Sequence, residues 1–287
     1  MDINELKKLA AEKAVEEISS GMVIGLGSGS TFQFALEKIS ARIKSGELKN
    51  VVGIPSSSNT EREAVRLKIP IITLNELFIS EDGKREMGNG EEKSEIRNQK
   101  SVLNVSEVST SGIKHPTDMN SQFSIRNSQL PIDLTIDGAD EFDEQLNLIK
   151  GGGGALLHEK ILAQSSKRLI IITDESKRSK FLGTKWPVPV EVLQFCYEGE
   201  KRFLESLGSK VKQRKNSDGS NYITDENNFI LDANFGEIKN VKELSDKLND
   251  RAGIVGHGLF VGLTDKVICA MSNGEIRIQK SEFRNLS

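Results

Sequence analysis

The sequence predicts an α/β fold built on a mostly parallel sheet. Three observations carry this. Apolar runs of strand length alternate with helical periodicity over residues 4–73 and again over 132–173. Two glycine-rich segments, Gly25–Thr31 and Gly151–Gly154, each join a strand-like run to a helix-like run. Polar clusters stand directly after strands, where a parallel sheet gathers its ligands.

The elements run in order. Residues 4–19 read as an amphipathic helix, with Leu6, Leu9, Ala10, Ala14, Val15 and Ile18 near helical spacing and Gly21 as its stop. A strand over 22–26, a helix over 32–43, a strand over 51–54, a helix over 61–68 and a strand over 69–73 come next. From 79 to 130 Glu, Lys, Ser, Asn and Gln dominate; this stretch has too little apolar surface to offset its ordering entropy and reads as a disordered insertion. The pattern resumes with a strand over 132–136, a helix over 155–165 and a strand over 168–173. From Pro187 the rhythm changes. Helices over 197–207 and 241–248 alternate with short strands over 210–214, 222–224 and 229–232, which predicts a small antiparallel α+β lobe across 187–258. Runs at 259–263, 267–271 and 276–278 are expected to close the first domain, which then comprises 1–186 and 259–287.

The bulk properties exclude several classes. A chain of 287 residues holds one large domain or two modest ones. A net charge of -3 gives no basic surface for nucleic acid. Cys196 and Cys269 are far apart and in no metal-type spacing, so reduced thiols are expected. No apolar run approaches the ~20 residues that span a bilayer. The polar, helix-like start does not read as a signal peptide, and a cytoplasmic location is expected.

The chemistry is carried by four segments. In Gly25-Leu-Gly27-Ser28-Gly29-Ser30-Thr31 a strand-to-helix turn exposes backbone N–H groups, and Ser28, Ser30 and Thr31 add hydroxyls. Ser30 stands where a dinucleotide fingerprint needs its third glycine, and no Gly-Lys-Ser/Thr is present, so the loop reads as a monophosphate site. A plain tight turn with a Ser/Thr cap is the alternative. Asp137-Gly138-Ala139-Asp140 sets two carboxylates three residues apart, able to divide proton duties or grip sugar hydroxyls, or else to serve as a helix cap and a solvated charge. Lys150 precedes Gly151, Gly152, Gly153 and Gly154; it fits an oxyanion donor or a surface lysine. Glu159 comes next in the helix as a general base or as a surface acid favoured by the helix dipole. His158 does not share a face with its neighbour Glu159. His115 and His257 read as incidental, and Lys7 and Lys177, taken alone, as surface lysines.

Together these segments resemble the ribose-5-phosphate isomerases of the A type. The resemblance rests on Gly25–Thr31, on Asp-Gly-Ala-Asp-Glu-Phe-Asp at 137–143, on Lys150–Lys160, and on Lys177 with Pro-Val-Pro-Val-Glu-Val at 187–192. It implies a Rossmann-like core with helices on both faces, and a smaller lobe used in homodimer or homotetramer contacts. It implies interconversion of ribose 5-phosphate and ribulose 5-phosphate, in the non-oxidative pentose phosphate branch, with no metal or organic cofactor. It further implies that Ser28, Gly29, Ser30 and Thr31 bind the phosphate with help from Lys7. Asp137, Gly138, Ala139 and Asp140 would line the sugar site, with Lys150, Gly151, Gly152 and Gly153. Glu159 matches the proton acceptor and Lys177 a further substrate-binding lysine. Ser28 stands where Thr is usual, Pro55-Ser-Ser-Ser-Asn-Thr60 departs from the usual Thr-Ser-Phe type of block, and the insertion at 79–130 is unusual. Two rivals stand against this reading. Acyl-CoA transfer would use a Glu nucleophile, and a sugar-phosphate-sensing regulator would need a helix-turn-helix for which the residues before Gly25 leave no room.

Overall fold

The computed structural model describes residues 1–78 and 130–281. Apart from Leu130, the expected insertion at 79–130 lies outside the described residues. Residues 1–73 and the described residues from 130 onward form one compact unit.

Helix α1 (Ile3–Val15) begins at a capping box: the Asp2 carboxylate accepts from the Asn4 and Glu5 amides while Glu5 accepts from the Asp2 amide. Strand β1 (Val23–Leu26) leads into α2 (Gly29–Lys44), and β2 (Val52–Pro55) into α3 (Ser58–Arg66), whose first turn is capped by Ser57. The expected strand at 69–73 is reduced to one bridge, Ile71 to Gly53. Pro70 has no N–H, so its side of the ladder cannot continue.

The chain proceeds through β3 (Leu134–Asp137), β4 (Glu141–Phe142), β5 (Leu148–Ile149), α4 (Leu156–Gln164) and β6 (Leu169–Asp174). Then come β7 (Val188–Val192), α5 (Tyr197–Ser206), β8 (Lys210–Gln213), β9 (Phe229–Asn234), α6 (Val241–Asn249), β10 (Ile254–His257), β11 (Leu259–Phe260), β12 (Lys266–Ala270) and β13 (Ile276–Lys280). The six-stranded sheet runs β13-β12-β6-β3-β1-β2, parallel except for β13. Successive side chains of its strands face opposite ways. Ile170, Ile172 and Ile268 pack with α1 and α2 on one face, while Leu169, Ile171 and Val267 pack with Phe142, Phe260 and Ala163 of α4 on the other. The near-continuous apolar strands are what a sheet covered on both faces requires.

A four-stranded antiparallel sheet, β10-β7-β9-β8, lies between residues 188 and 257 and packs its core against α5 and α6. Two expected strands differ. The segment at 222–224 forms no strand, only the neighbouring bridge Lys215–Asn221. The run at 259–263 contributes only Leu259–Phe260, and these pair with β5 in a separate three-stranded sheet, β11-β5-β4, instead of joining the large one. That small sheet anchors Ile149 and, through it, the adjoining Lys150.

Candidate active site

The site forms where strands end. In β1 and β3, Leu26 and Ile136 are paired in parallel register, so Gly27-Ser28 and Asp137-Gly138 leave the sheet side by side. Their approach is closer than side chains permit. A Cβ on Gly25 would lie 1.9 Å from Thr135 Oγ1, and one on Gly27 would lie 2.3 Å from Asp137 Oδ1. Asp137 ends a strand and is followed by β4, so no helical turn places Asp137 and Asp140 on one face. Asp137 Oδ1 instead accepts from the Ser28 amide at 2.9 Å and from the Gly138 amide at 2.7 Å.

Lys150 Nζ is the hub. It lies 2.9 Å from Asp137 Oδ2, 3.2 Å from Glu159 Oε1 and donates to the Gly138 carbonyl at 2.6 Å. The surface readings of Lys150 and Glu159 are therefore overturned: they are 3% and 4% exposed, and Asp137 is 1% exposed. Burial lowers an ammonium, but the Asp137 and Glu159 carboxylates outweigh it and hold Lys150 above the usual lysine range. Burial pushes the Asp137 carboxyl up to about 7; Lys150 opposes this and the Glu159 charge adds to it. Asp140 is raised too, mainly by burial, against the Gly152 amide that donates to its Oδ2 at 2.7 Å.

Glu159 enters from the first turn of α4. Its Oε1 accepts from the Ser28 hydroxyl at 2.6 Å and sits beside Lys150, while its Oε2 is buried with no hydrogen-bond partner among the described residues. An orphaned buried carboxylate oxygen is costly and rare in a folded protein. Ser28 occupies the N-cap of α2, yet its hydroxyl makes no cap bond, because it is committed to Glu159. The tight-turn-with-cap reading of this loop is thereby excluded.

The polar rim extends in two directions. Lys7 Nζ donates to Ser30 Oγ at 3.0 Å, bringing an ammonium to the start of α2, where Ser30 and Thr31 add hydroxyls to amides without helical partners. Lys177 follows β6, with Nζ 5.3 Å from the centre of the Trp186 ring, and its charge reaches Asp140. The departing block at 55–60 supports the first turn: Thr60 Oγ1 donates to the Gly27 carbonyl at 2.8 Å.

A family model for ribose 5-phosphate isomerase A (phosphoriboisomerase A) matches residues 109–274. A ribose-5-phosphate isomerase A from Desulfatibacillum aliphaticivorans is 45% identical over 269 residues, spanning 94% of each chain. The chain belongs to the ribose 5-phosphate isomerase A family. The fold agrees. A solved ribose 5-phosphate isomerase from Plasmodium falciparum is 36% identical, with a TM-score of 0.76 over 98% of this chain and 100% of that one. A D-ribose-5-phosphate isomerase in complex with phospho-erythronic acid is 29% identical, with a TM-score of 0.77 over 98% and 100% of the two chains.

Several residues of the candidate site were not legible in the sequence. Arg214, just after β8, donates from Nη1 to the carbonyls of Gly151 at 2.8 Å and Gly152 at 3.1 Å, and is itself held by Asp232. Tyr222 donates to the Gly153 carbonyl at 3.2 Å. His257, read as incidental, is fully buried: its Nδ1 and its carbonyl face Lys160 Nζ at 3.3 and 2.6 Å, beside the Gly258 carbonyl that accepts from the Lys150 amide. Arg214 and Tyr222 stand 63 and 69 positions from Gly151 and Gly153, in a charged stretch typical of a surface, so only the fold reveals them.

Proposed function

We propose that the buried cluster of Asp137, Lys150 and Glu159 interconverts ribose 5-phosphate and ribulose 5-phosphate through a cis-enediolate. The observation that carries this is the asymmetry of Glu159. One oxygen is fixed by Ser28 and Lys150, and the other is buried and unpartnered among the described residues. Moving a carbonyl between C1 and C2 requires a base that lifts the proton beside it and returns it to the adjacent carbon. In this reading Glu159 Oε2 is that base. The Lys150 ammonium and the glycine-turn amides supply the positive field for the developing oxyanion. The Asp137 carboxyl, raised to about 7, exchanges protons near neutrality and serves ring opening, with Asp140 assisting. Lys7, Ser28–Thr31 and Lys177 bind the substrate; gripping the phosphate positions the reacting carbons without taking part in the chemistry.

Three further readings accompany it. The lobe at 187–258 carries contacts between copies of the chain, in dimers or tetramers, supported by the exposed apolar side chains of Leu193, Phe195 and Val255. The enzyme serves the non-oxidative pentose phosphate branch. It works in the cytoplasm; among the described residues no helix is long and apolar enough to cross a membrane.

NMR of ribose 5-phosphate in D2O with EDTA-treated protein tests the mechanism. Ketose should form with deuterium entering at the carbon beside the carbonyl. Glu159→Gln should still bind the sugar phosphate yet lose several orders of magnitude in turnover. Near-normal turnover by that variant, or a strict need for metal, would overturn the assignment.

A further inference from the structure

We propose that Arg214 is a positioning residue that sets the peptide planes of the glycine turn so that the Gly153 amide faces the reacting sugar. The inference rests on the isomerase reading above and deepens it.

The turn at 151–154 is closed by its own bond, Gly154 N–H to Gly151 carbonyl at 3.0 Å, with φ of +97° at Gly151 and +89° at Gly154. Such a turn of glycines has little intrinsic preference for one orientation of its inner peptides. Something outside it must choose. Arg214 Nη1 lies 2.8 Å from the Gly151 oxygen and 3.1 Å from the Gly152 oxygen, so both inner carbonyls converge on one guanidinium nitrogen. In a trans peptide the C=O and N–H point in opposite directions. The two succeeding amides, those of Gly152 and Gly153, are therefore turned to the other side. The first shows where that side is, because the Gly152 N–H donates to Asp140 Oδ2 at 2.7 Å. The Gly153 N–H is directed the same way and has no hydrogen-bond partner among the described residues. It is a free donor on the Asp140 side of the turn, where the proposed sugar site lies.

The guanidinium is itself fixed. Nε donates to Asp232 Oδ2 at 3.0 Å and Nη2 pairs with the other oxygen, a two-point clamp that leaves the fork little freedom. The Arg214 amide bonds the Ile230 carbonyl, so both ends of the residue are anchored to β9. Tyr222 Oη takes the third carbonyl, that of Gly153. Two side chains from the segment that follows β8, Arg214 and Tyr222, thus hold the carbonyls of Gly151, Gly152 and Gly153.

The test measures kcat and KM for ribose 5-phosphate in Arg214→Lys, Arg214→Ala and Asp232→Asn, beside wild type and Glu159→Gln, with thermal melts of each. Arg214→Ala should lower kcat by about 10²-fold, the scale of a small misplacement of a catalytic donor, with KM within about threefold. Added guanidinium should recover part of that kcat without altering the melting temperature. Arg214→Lys reaches the carbonyls with a point charge but lacks the fork, and should fall between the two. Should Arg214→Ala not fold, Arg214→Lys decides alone. An unchanged kcat in Arg214→Lys and Asp232→Asn, a loss confined to KM, or a loss that follows the melting temperature and resists guanidinium would overturn the role. Wild type and Glu159→Gln separate the two ideas. If wild type fails to isomerise the sugar, the isomerase reading falls; if it does so and Glu159→Gln does not, only the Arg214 inference is at stake.

Discussion

Gly25 and Gly27 of the first glycine turn and Gly151 and Gly154 of the second answer to different constraints. In the first, Gly25 and Gly27 have ordinary backbone angles and lack side chains because neighbouring strands leave no volume, the shortfall being set by Thr135 and Asp137. In the second, Gly151 and Gly154 adopt positive φ, and Gly153 has open space around it. The first turn is shaped by the sheet behind it. The second is shaped by side chains of the segment after β8, Arg214 and Tyr222. A catalytic loop can therefore be rigid through crowding or through external clamping, and the two should fail differently when altered.

Gly27→Ala should cause the largest failure. Its new methyl would stand 2.6 Å from the Asp137 Cα, which is backbone and cannot turn aside. Displacing Asp137 removes a partner of Lys150, so turnover should drop by about 10²-fold or more, with overpacking costing about 1–3 kcal/mol. Steady-state rates and denaturant melts would show both; a variant with wild-type rates would refute crowding as the constraint.

Gly151→Ala should destabilise next most strongly. Its φ of +97° strains any L side chain, and the methyl would meet Leu156 Cβ at 2.7 Å. About 1–2 kcal/mol is expected from the backbone alone. Gly153→Ala, with no such φ and no close neighbour, should melt near wild type. Equal melting temperatures for the two would mean that conformation is not what the second turn demands.

The regions behind the turns also oppose each other in pH response. Beside the first, Asp137 keeps its proton in the fold up to about 7, so its contribution is present below 3.8 and is lost as pH rises toward that value. Behind the second, burial lowers His257 from 6.5 to about 3, with Lys160 adding to the fall; its contribution is present above 6.5 and is lost as pH falls toward 3. Wild type should therefore show a shallow stability profile between about pH 4 and 6.5, and Asp137→Asn a steeper acid-side loss. Urea midpoints across that range would measure it; parallel profiles would contradict the opposing slopes.

Tyr222→Phe should have the smallest effect. It removes one partly exposed hydroxyl bond to the Gly153 carbonyl, about 0.5–1.5 kcal/mol, and leaves Arg214 in place. A loss larger than that of Gly151→Ala would transfer the clamping role from Arg214 to Tyr222.

Legibility in the sequence divides along the same line. Strand-to-helix junctions are local, so β1 to α2 and β5 to α4 were visible as apolar runs, glycines and helical periodicity. The main sheet was equally plain, since strands buried on both faces read as continuous Val, Leu and Ile. Pairing partners were less so. Ile69–Thr73 has strand composition, but Pro70 limits it to one bridge, and Leu259-Phe260 joins β5 because a two-residue strand carries no label for its sheet. Side-chain environment was hidden altogether. Their place beside the glycine run made Lys150 and Glu159 candidates, but nothing in the local composition distinguishes them from surface charges; resemblance to a known family decided between the two readings. Arg214 had no such pointer, since its partners are backbone carbonyls and leave no pattern in residue identity.

Lys150 has a consequence of its own. Its three N–H donors meet Asp137, Glu159 and the Gly138 carbonyl, so the amine is fully subscribed before any sugar arrives. With its proton held firmly, the nitrogen offers no lone pair, and an open-chain aldehyde can rest against it without condensing to an imine. In the proposed site a reactive carbonyl compound would thereby be handled beside a lysine that stays chemically silent, and the enzyme would avoid becoming a casualty of its own substrate.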